Sequence, residues 1–148
     1  MEMQIKNQIK FSILSVNENV SFARAAAAAF AAQVDLTLTE IDEIKVAVSE
    51  AVSNAVIHGY GDDNPKQNYI ELTMNLFPDK LEFTVIDYGR GIANIEEARQ
   101  PSFSSDPERM GLGFVFMDSF MDELEVTSKL GQGTTVRMAK IFVPRTEH

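Results

Sequence analysis

A chain of 148 residues, 45% of them hydrophobic, suffices for one core that buries about two-thirds of the unfolded surface, so residues 1–148 are expected to form a single domain. Thirteen Lys and Arg against 22 Asp and Glu leave a net charge of −9, which excludes the basic stripe of a direct nucleic-acid binder. The lack of cysteine removes disulfides and thiolate metal sites; with no apolar run near the roughly 20 residues of a membrane span and a polar start unlike a signal peptide, the chain reads as soluble and cytoplasmic, with no membrane partner.

Ile9, Phe11 and Ile13 alternate with polar residues, the pattern of a half-buried first strand. Asn17 reads as the cap of a helix running to about Val34, its alanine run at residues 25–29 favouring helix and close approach of neighbours. Thr39 with Asp42 has the spacing of a capping box opening a second helix over residues 40–58, whose stripe is Ile41, Ile44, Val48, Ala51 and Ala55. Ile70, Leu72, Met74 and Leu76, then Leu81, Phe83 and Val85, alternate as a hairpin around Pro78-Asp79-Lys80. Residues 93–110, with Pro101, Pro107 and several serines, read as a long loop with a short helix near residues 95–99. A helix over residues 111–121 and a hairpin of residues 123–128 and 134–142, turning at Gly131-Gln132-Gly133, complete the chain. This order predicts an α+β two-layer sandwich, a mostly antiparallel mixed sheet with helices on one face.

The chemistry lies at the element ends. Glu50 and Asn54, four residues apart on a helix, project about 6 Å apart from one face, a proton acceptor beside a neutral oxygen ligand; either alone reads equally as a solvated helix residue. A lone amide oxygen plus substrate phosphates can constitute a magnesium site. His58, one turn on, reads as a helix C-terminal residue favoured by the dipole. Asp87 ends a strand on the face of Val85 and Phe83, so its carboxylate needs a donor partner in an apolar floor, although Asp87-Tyr88-Gly89-Arg90-Gly91 is by itself also a generic turn. Gly111 and Gly113 open a helix whose N–H groups and positive end suit phosphate. Neither glycine pair extends to the dinucleotide fingerprint. Arg109 precedes that corner and can neutralise a transferring phosphate. Arg24 is the one charged residue between Asn19 and Val34, and reads either as a contact-surface cation or as a snorkelling solubiliser.

Together these motifs resemble the GHKL (Bergerat-fold) ATP-binding superfamily. That resemblance makes the segment from Glu50 to Gly59 an N-box with Asn54 holding magnesium, gives Asp87 the adenine amino group with Gly89 and Gly91 against the purine, and brings Thr134 of Gly133-Thr134-Thr135 to the adenine pocket. Ser21-Phe22-Ala23-Arg24, Glu96 through Pro101, Arg109 through Phe114 and Phe120 through Glu123 narrow the likeness, over nearly the whole chain, to the anti-sigma F factor family of endospore-forming bacteria. The sequence departs from that family in Met110, where a small polar residue is usual, and in a slightly shorter loop over residues 101–109. The resemblance implies a dimeric serine kinase that sequesters a sporulation sigma factor and phosphorylates an anti-anti-sigma protein with ATP and Mg2+, through residues 93–110 as a lid, Glu50 as base and Arg24 facing the protein partners. The alternatives are an ATP-gated binding protein without phosphotransfer, a hydrolytic ATPase, and a related general-stress anti-sigma kinase.

Overall fold

Alternating apolar residues build the sheet on which every other element rests. The computed structural model describes residues 4–59, 68–92, 94–95 and 110–144. In chain order these form β1 (Asn7–Leu14), α1 (Asn19–Ala31), α2 (Leu38–Asn54) ending in one turn of π-helix (Ala55–Gly59), β2 (Tyr69–Leu76), β3 (Lys80–Asp87), α3 (Met110–Phe120), β4 (Glu123–Lys129) and β5 (Gly133–Ile141). The strands lie in the order β1-β2-β3-β5-β4. Every pairing is antiparallel, so the expected mixed sheet is wholly antiparallel among the described residues. The last strand sits inside the sheet, with the β4–β5 hairpin hung on β3.

One face of the sheet is the core. Ile70, Leu72 and Met74 of β2, Leu81, Phe83 and Val85 of β3, and Val136 and Met138 of β5 are buried with Ala23, Ala27 and Phe30 of α1, Ile44, Val48 and Val52 of α2, and Phe114 and Met117 of α3. The alanines of α1 bring its backbone close, and Phe30 meets Phe83 edge-on at 6.4 Å. On the other face a polar line crosses all five strands. Gln8 donates to Asn75 (2.7 Å), Asn75 to Glu82 (2.9 Å), and Arg137 bridges Glu82 (2.6 Å) and Glu123 (2.9 Å).

Three expected boundaries move. Glu18, not Asn17, occupies the cap position of α1, without a side-chain bond to the helix; Asn19 instead turns back to the Leu14 carbonyl at 3.0 Å. α1 stops at Ala31, where the Gln33 and Val34 N–H groups tighten onto the Phe30 and Ala31 carbonyls. The capping box of α2 is Thr37 with Glu40, not Thr39 with Asp42: Thr37 Oγ1 accepts from the Glu40 N–H and Glu40 Oε1 from the Thr37 N–H, both at 3.0 Å. Both pairs have the right spacing, but only the Thr37 box puts apolar residues, Leu36 and Ile41, at the two staple positions against the core. The Thr39 box would assign one of them to Leu38, which is 81% exposed. No helix among the described residues is long and apolar enough to cross a membrane.

Thr37→Ala is expected to lower stability by about 1 kcal/mol, a melting midpoint lower by about 3 °C, whereas Thr39→Ala should leave it unchanged. Equal losses in thermal unfolding would return the cap to Thr39.

Candidate functional site

α2 delivers its C-terminal end to the open end of β3 and β5. There a cleft open to solvent is lined by Asn54, Gly59, Asp87, Gly91, Phe114 and Thr134, with Val85 and Val136 as apolar wall. Its floor is Asp87. Inward alternation along β3 places this residue after Phe83 and Val85, and its side chain is 5% exposed. The carboxylate accepts the Gly89 N–H at 3.0 Å and the N–H of Thr134, its register partner on β5. Burial pushes its pKa up from the ordinary 3.8, and the two N–H groups oppose that rise. Gly89 therefore holds Asp87, a contact its motif position did not specify.

The glycine corner after Asp87 is tied down on both sides. Arg90 donates from Nε to the His58 carbonyl and from its N–H to the Gly59 carbonyl, both at 2.7 Å. These acceptors are the last carbonyls of the helical run, which have no partner within the helix; its final turn, residues 55–59, is π-helical. α2 accordingly ends at Asn54, four residues before the expected end, and His58 lies buried in the π-turn. Gly91 has φ +76°, and a β-carbon there would overlap the Lys129 carbonyl. Ser128 finishes the wall: its hydroxyl accepts the Ile92 N–H (2.7 Å), donates to the Gly133 carbonyl (2.9 Å) and lies 2.9 Å from Thr134 Oγ1. No motif in the sequence marks Arg90 or Ser128 for these contacts. A polar residue at an inward position after Leu124 and Val126 was the available signal for Ser128.

Beside the cleft α3 passes over α2 at Gly113, where α3 has no side chain of its own to hold the α2 side chains away. A β-carbon on Gly113 would stand 3.0 Å from Glu50 Oε2, 3.3 Å from Asn54 Nδ2 and 3.4 Å from Asn54 Oδ1. The structure thus brings Glu50, Asn54 and Gly113 to one point, and Asp87, Gly89, Gly91 and Thr134 to the other side of the cleft. Gly111 lies in the first turn of α3. Asn54 Nδ2 is buried with no hydrogen-bond partner among the described residues, an arrangement that costs about 1–3 kcal/mol unless a ligand fills it. No group of three or more His, Cys, Asp or Glu with metal-holding geometry occurs among the described residues. Arg24 lies exposed on α1, away from the cleft lining, and donates to Ser21 Oγ at 3.2 Å. Arg109 and the short helix expected near residues 95–99 fall outside the described residues but for Ile95, as does nearly all of the expected lid.

The family model of the histidine kinase-like ATPase domain matches residues 14–140. The anti-sigma F factor of Anoxybacillus flavithermus is 49% identical over 140 residues, covering 93% of this chain and 93% of that protein. The anti-sigma F factor of a Thermoanaerobacter species is likewise 49% identical, over 93% of this chain and 96% of its own length. Among solved structures, the RsbU and RsbW domains of a Mycobacterium tuberculosis protein align over 96% of this chain and 35% of that one, with a TM-score of 0.61 at 21% identity. The histidine kinase domain of a blue-light activated kinase from Erythrobacter litoralis aligns over 84% of this chain and 59% of that one, with a TM-score of 0.56 at 23% identity. These two share the fold.

Because the folded state holds the Asp87 proton more tightly than the unfolded chain, this carboxyl contributes stability below the ordinary pKa that is lost as pH rises through the raised one. Asp87→Asn removes that titration and nearly keeps the shape. Its stability relative to the parent should therefore improve as pH rises from the ordinary 3.8 through the raised value, read as urea midpoints. A difference constant across that range would remove burial as the cause of the shift.

Proposed function

The chain belongs to the anti-sigma F factor family, built on the histidine kinase-like ATPase domain, and on that premise we propose that it is an ATP- and Mg2+-dependent serine kinase acting on an anti-anti-sigma protein, and that it binds and inhibits a sporulation sigma factor. The observation carrying this reading is the meeting of the Glu50 carboxylate and the Asn54 amide at the side-chain-free Gly113. A base, a neutral oxygen ligand and the positive end of α3 then converge on the site of a phosphate chain.

The chain's residues divide the work. The exocyclic amino group of adenine donates to the Asp87 carboxylate, which the Gly89 and Thr134 N–H groups hold in place. Gly91 and Thr134 line the purine's wall, and the amides at Gly111 and Gly113 face the phosphates. Glu50 takes the proton from the substrate serine hydroxyl as its oxygen forms the new bond to the γ-phosphorus. The bond from that phosphorus to the bridging oxygen breaks, and ADP leaves with the electron pair. Arg109 balances charge on the phosphoryl group in flight. Asn54 Oδ1, 3.4 Å from where a Gly113 β-carbon would stand, is a neutral hard oxygen suited to a cation that keeps several waters, while the orphaned Nδ2 donor suits a phosphate or water oxygen; Asn54 would hold magnesium through Oδ1, and the ion when bound would neutralise charge on the phosphates. Arg24, exposed on α1 and remote from this chemistry, faces the protein partners, and the resemblance adds residues 93–110 as a lid and a cytoplasmic homodimer as the working state.

The deciding experiment incubates the protein with labelled ATP, Mg2+ and a candidate anti-anti-sigma protein. Label on serine is the expected result, whereas label released only as free phosphate selects a hydrolytic ATPase. Neither outcome, together with ATP-sensitive sigma binding, selects an ATP-gated binder. Glu50→Gln should retain nucleotide binding and lose roughly 10²–10⁴ in phosphotransfer; an unchanged rate would end the base assignment. Nucleotide at 100 times its dissociation constant should stabilise the parent by about 2.7 kcal/mol. In Asn54→Ala most of that Mg-dependent thermal shift should vanish, and a full shift there would place the metal elsewhere.

A further inference from the structure

β5 carries Lys140 on the same inward face as Thr134, Val136 and Met138, and the residue is only 8% exposed. Its Nζ donates to Glu43 Oε1 of α2 at 2.9 Å and to the Phe120 carbonyl of α3 at 2.8 Å. Phe120 is the last residue of α3, so one ammonium caps the negative end of that helix and fastens it to α2. Glu43 and Glu50 are seven residues apart on α2, two turns on one face, and Gly113 and Phe120 are seven apart on α3. The two helices therefore run antiparallel and meet twice: Gly113 against Glu50 and Asn54 beside the cleft, and Phe120 with Glu43 through Lys140 about two turns away. Between these points buried Ile44, Ala47 and Ala51 belong to the same cluster as Phe114, Met117 and Met121. Beyond Phe120 the chain is also fixed to β5, since the Asp122 N–H meets the Ala139 carbonyl at 2.9 Å and Asp122 Oδ2 the Ile141 N–H at 2.7 Å.

We propose that Lys140 is a positioning residue for phosphoryl transfer: by pinning the C-terminal end of α3 to α2 and β5 it fixes how far along α2 the helix lies, and so sets the Gly111 and Gly113 amides over Glu50 and Asn54. α3 packs inward through Phe114 and Met117, and such apolar contacts, methionine's above all, are adaptable and non-directional. A directional bond at the far end supplies what packing lacks. The kinetic consequence rests on the kinase reading above; the placement of α3 does not. The adenine side of the cleft, Asp87 and Thr134, belongs to the sheet and does not move with the helix.

Lys140→Met alone leaves the Glu43 carboxylate without its cation, so the informative variant is Glu43→Gln with Lys140→Met, which removes the pair. Urea unfolding should show the double variant recovering most of the stability lost by the single one. Its kcat for transfer to the anti-anti-sigma serine should stay about 10–100-fold low, with the KM for ATP changed less than about threefold. Backbone hydrogen exchange over residues 113–117 should be faster than in the parent, although exchange in β3 is unchanged. Lys140→Arg, which keeps charge and donors, should restore most of the rate. Parent-like kcat in the double variant, or loss of rate that follows stability across the set, overturns the proposal. If the parent itself transfers no phosphate, the serine-kinase reading falls, and the exchange over residues 113–117 still decides: parent-like exchange in the double variant rejects Lys140 as the pin, and faster exchange supports it.

Discussion

A carboxylate with almost no access to water is the constraint around which this molecule is arranged. Asp87 is 5% exposed at the end of β3, and an ionised group there is tolerated only because backbone N–H groups reach it from Gly89 and Thr134. Those donors require β5 to lie directly beside β3. A side chain at Gly59 would come within 2.9 Å of the Asp87 carboxyl carbon, so the end of α2 seats directly upon it. The β3–β5 pairing, the turn at Gly89 and the end of α2 all meet at this one group. Its raised pKa marks what the arrangement sacrifices in stability to keep an unsaturated acceptor facing the cleft.

Much of this was legible in the residues. The strands announced themselves because their period of two persists from Ile70 to Val85, and Asp87 stood out as a polar residue at an inward position. α2 was legible in its stripe and less so at its ends. Its start was ambiguous because Thr37 with Glu40 and Thr39 with Asp42 share one spacing, and only contact of Leu36 and Ile41 with the core decides between them. Its end was misplaced because the apolar pattern continues through Val56 and Ile57 while the hydrogen bonding changes to that of a π-turn. Contacts made to backbone carbonyls left no trace in the sequence. Arg90 on His58 and Lys140 on Phe120 depend on acceptors that only the folded path presents. Glu50, Asn54 and Gly113 each stand out by type and spacing, but their convergence is a property of how α3 crosses α2.

The two faces of the sheet use polar groups for different ends. On the outer face, Gln8, Asn75, Glu82, Arg137 and Glu123 form a satisfied line with one residue from each strand, and the hydrogen bond from Arg137 holds Glu123 below the ordinary carboxylate range. A slip of one residue in any pairing would turn its member of that line toward the core. Among the described residues of the strands, the polar groups of the inner face are Asn7, which donates to Gln33 just after α1, and Lys140, Ser128, Thr134 and Asp87, which fasten a helix or build the cleft wall. Register is thus written on one side of the sheet and chemistry on the other.

The strand order also governs when such a site can come into being. β5, residues 133–141, is the last strand synthesised, yet it lies between β3 and β4. Until it exists, the inner edge of β3 is bare, β4 has no neighbour, Asp87 lacks the Thr134 donor, and the C-terminal end of α3 lacks Lys140. Closing the sheet therefore joins segments about fifty residues apart, a non-local step of the kind that slows folding. An emerging chain holds Asp87 and Gly113 in unconnected pieces, and the proposed nucleotide site is complete only once β5 has been made.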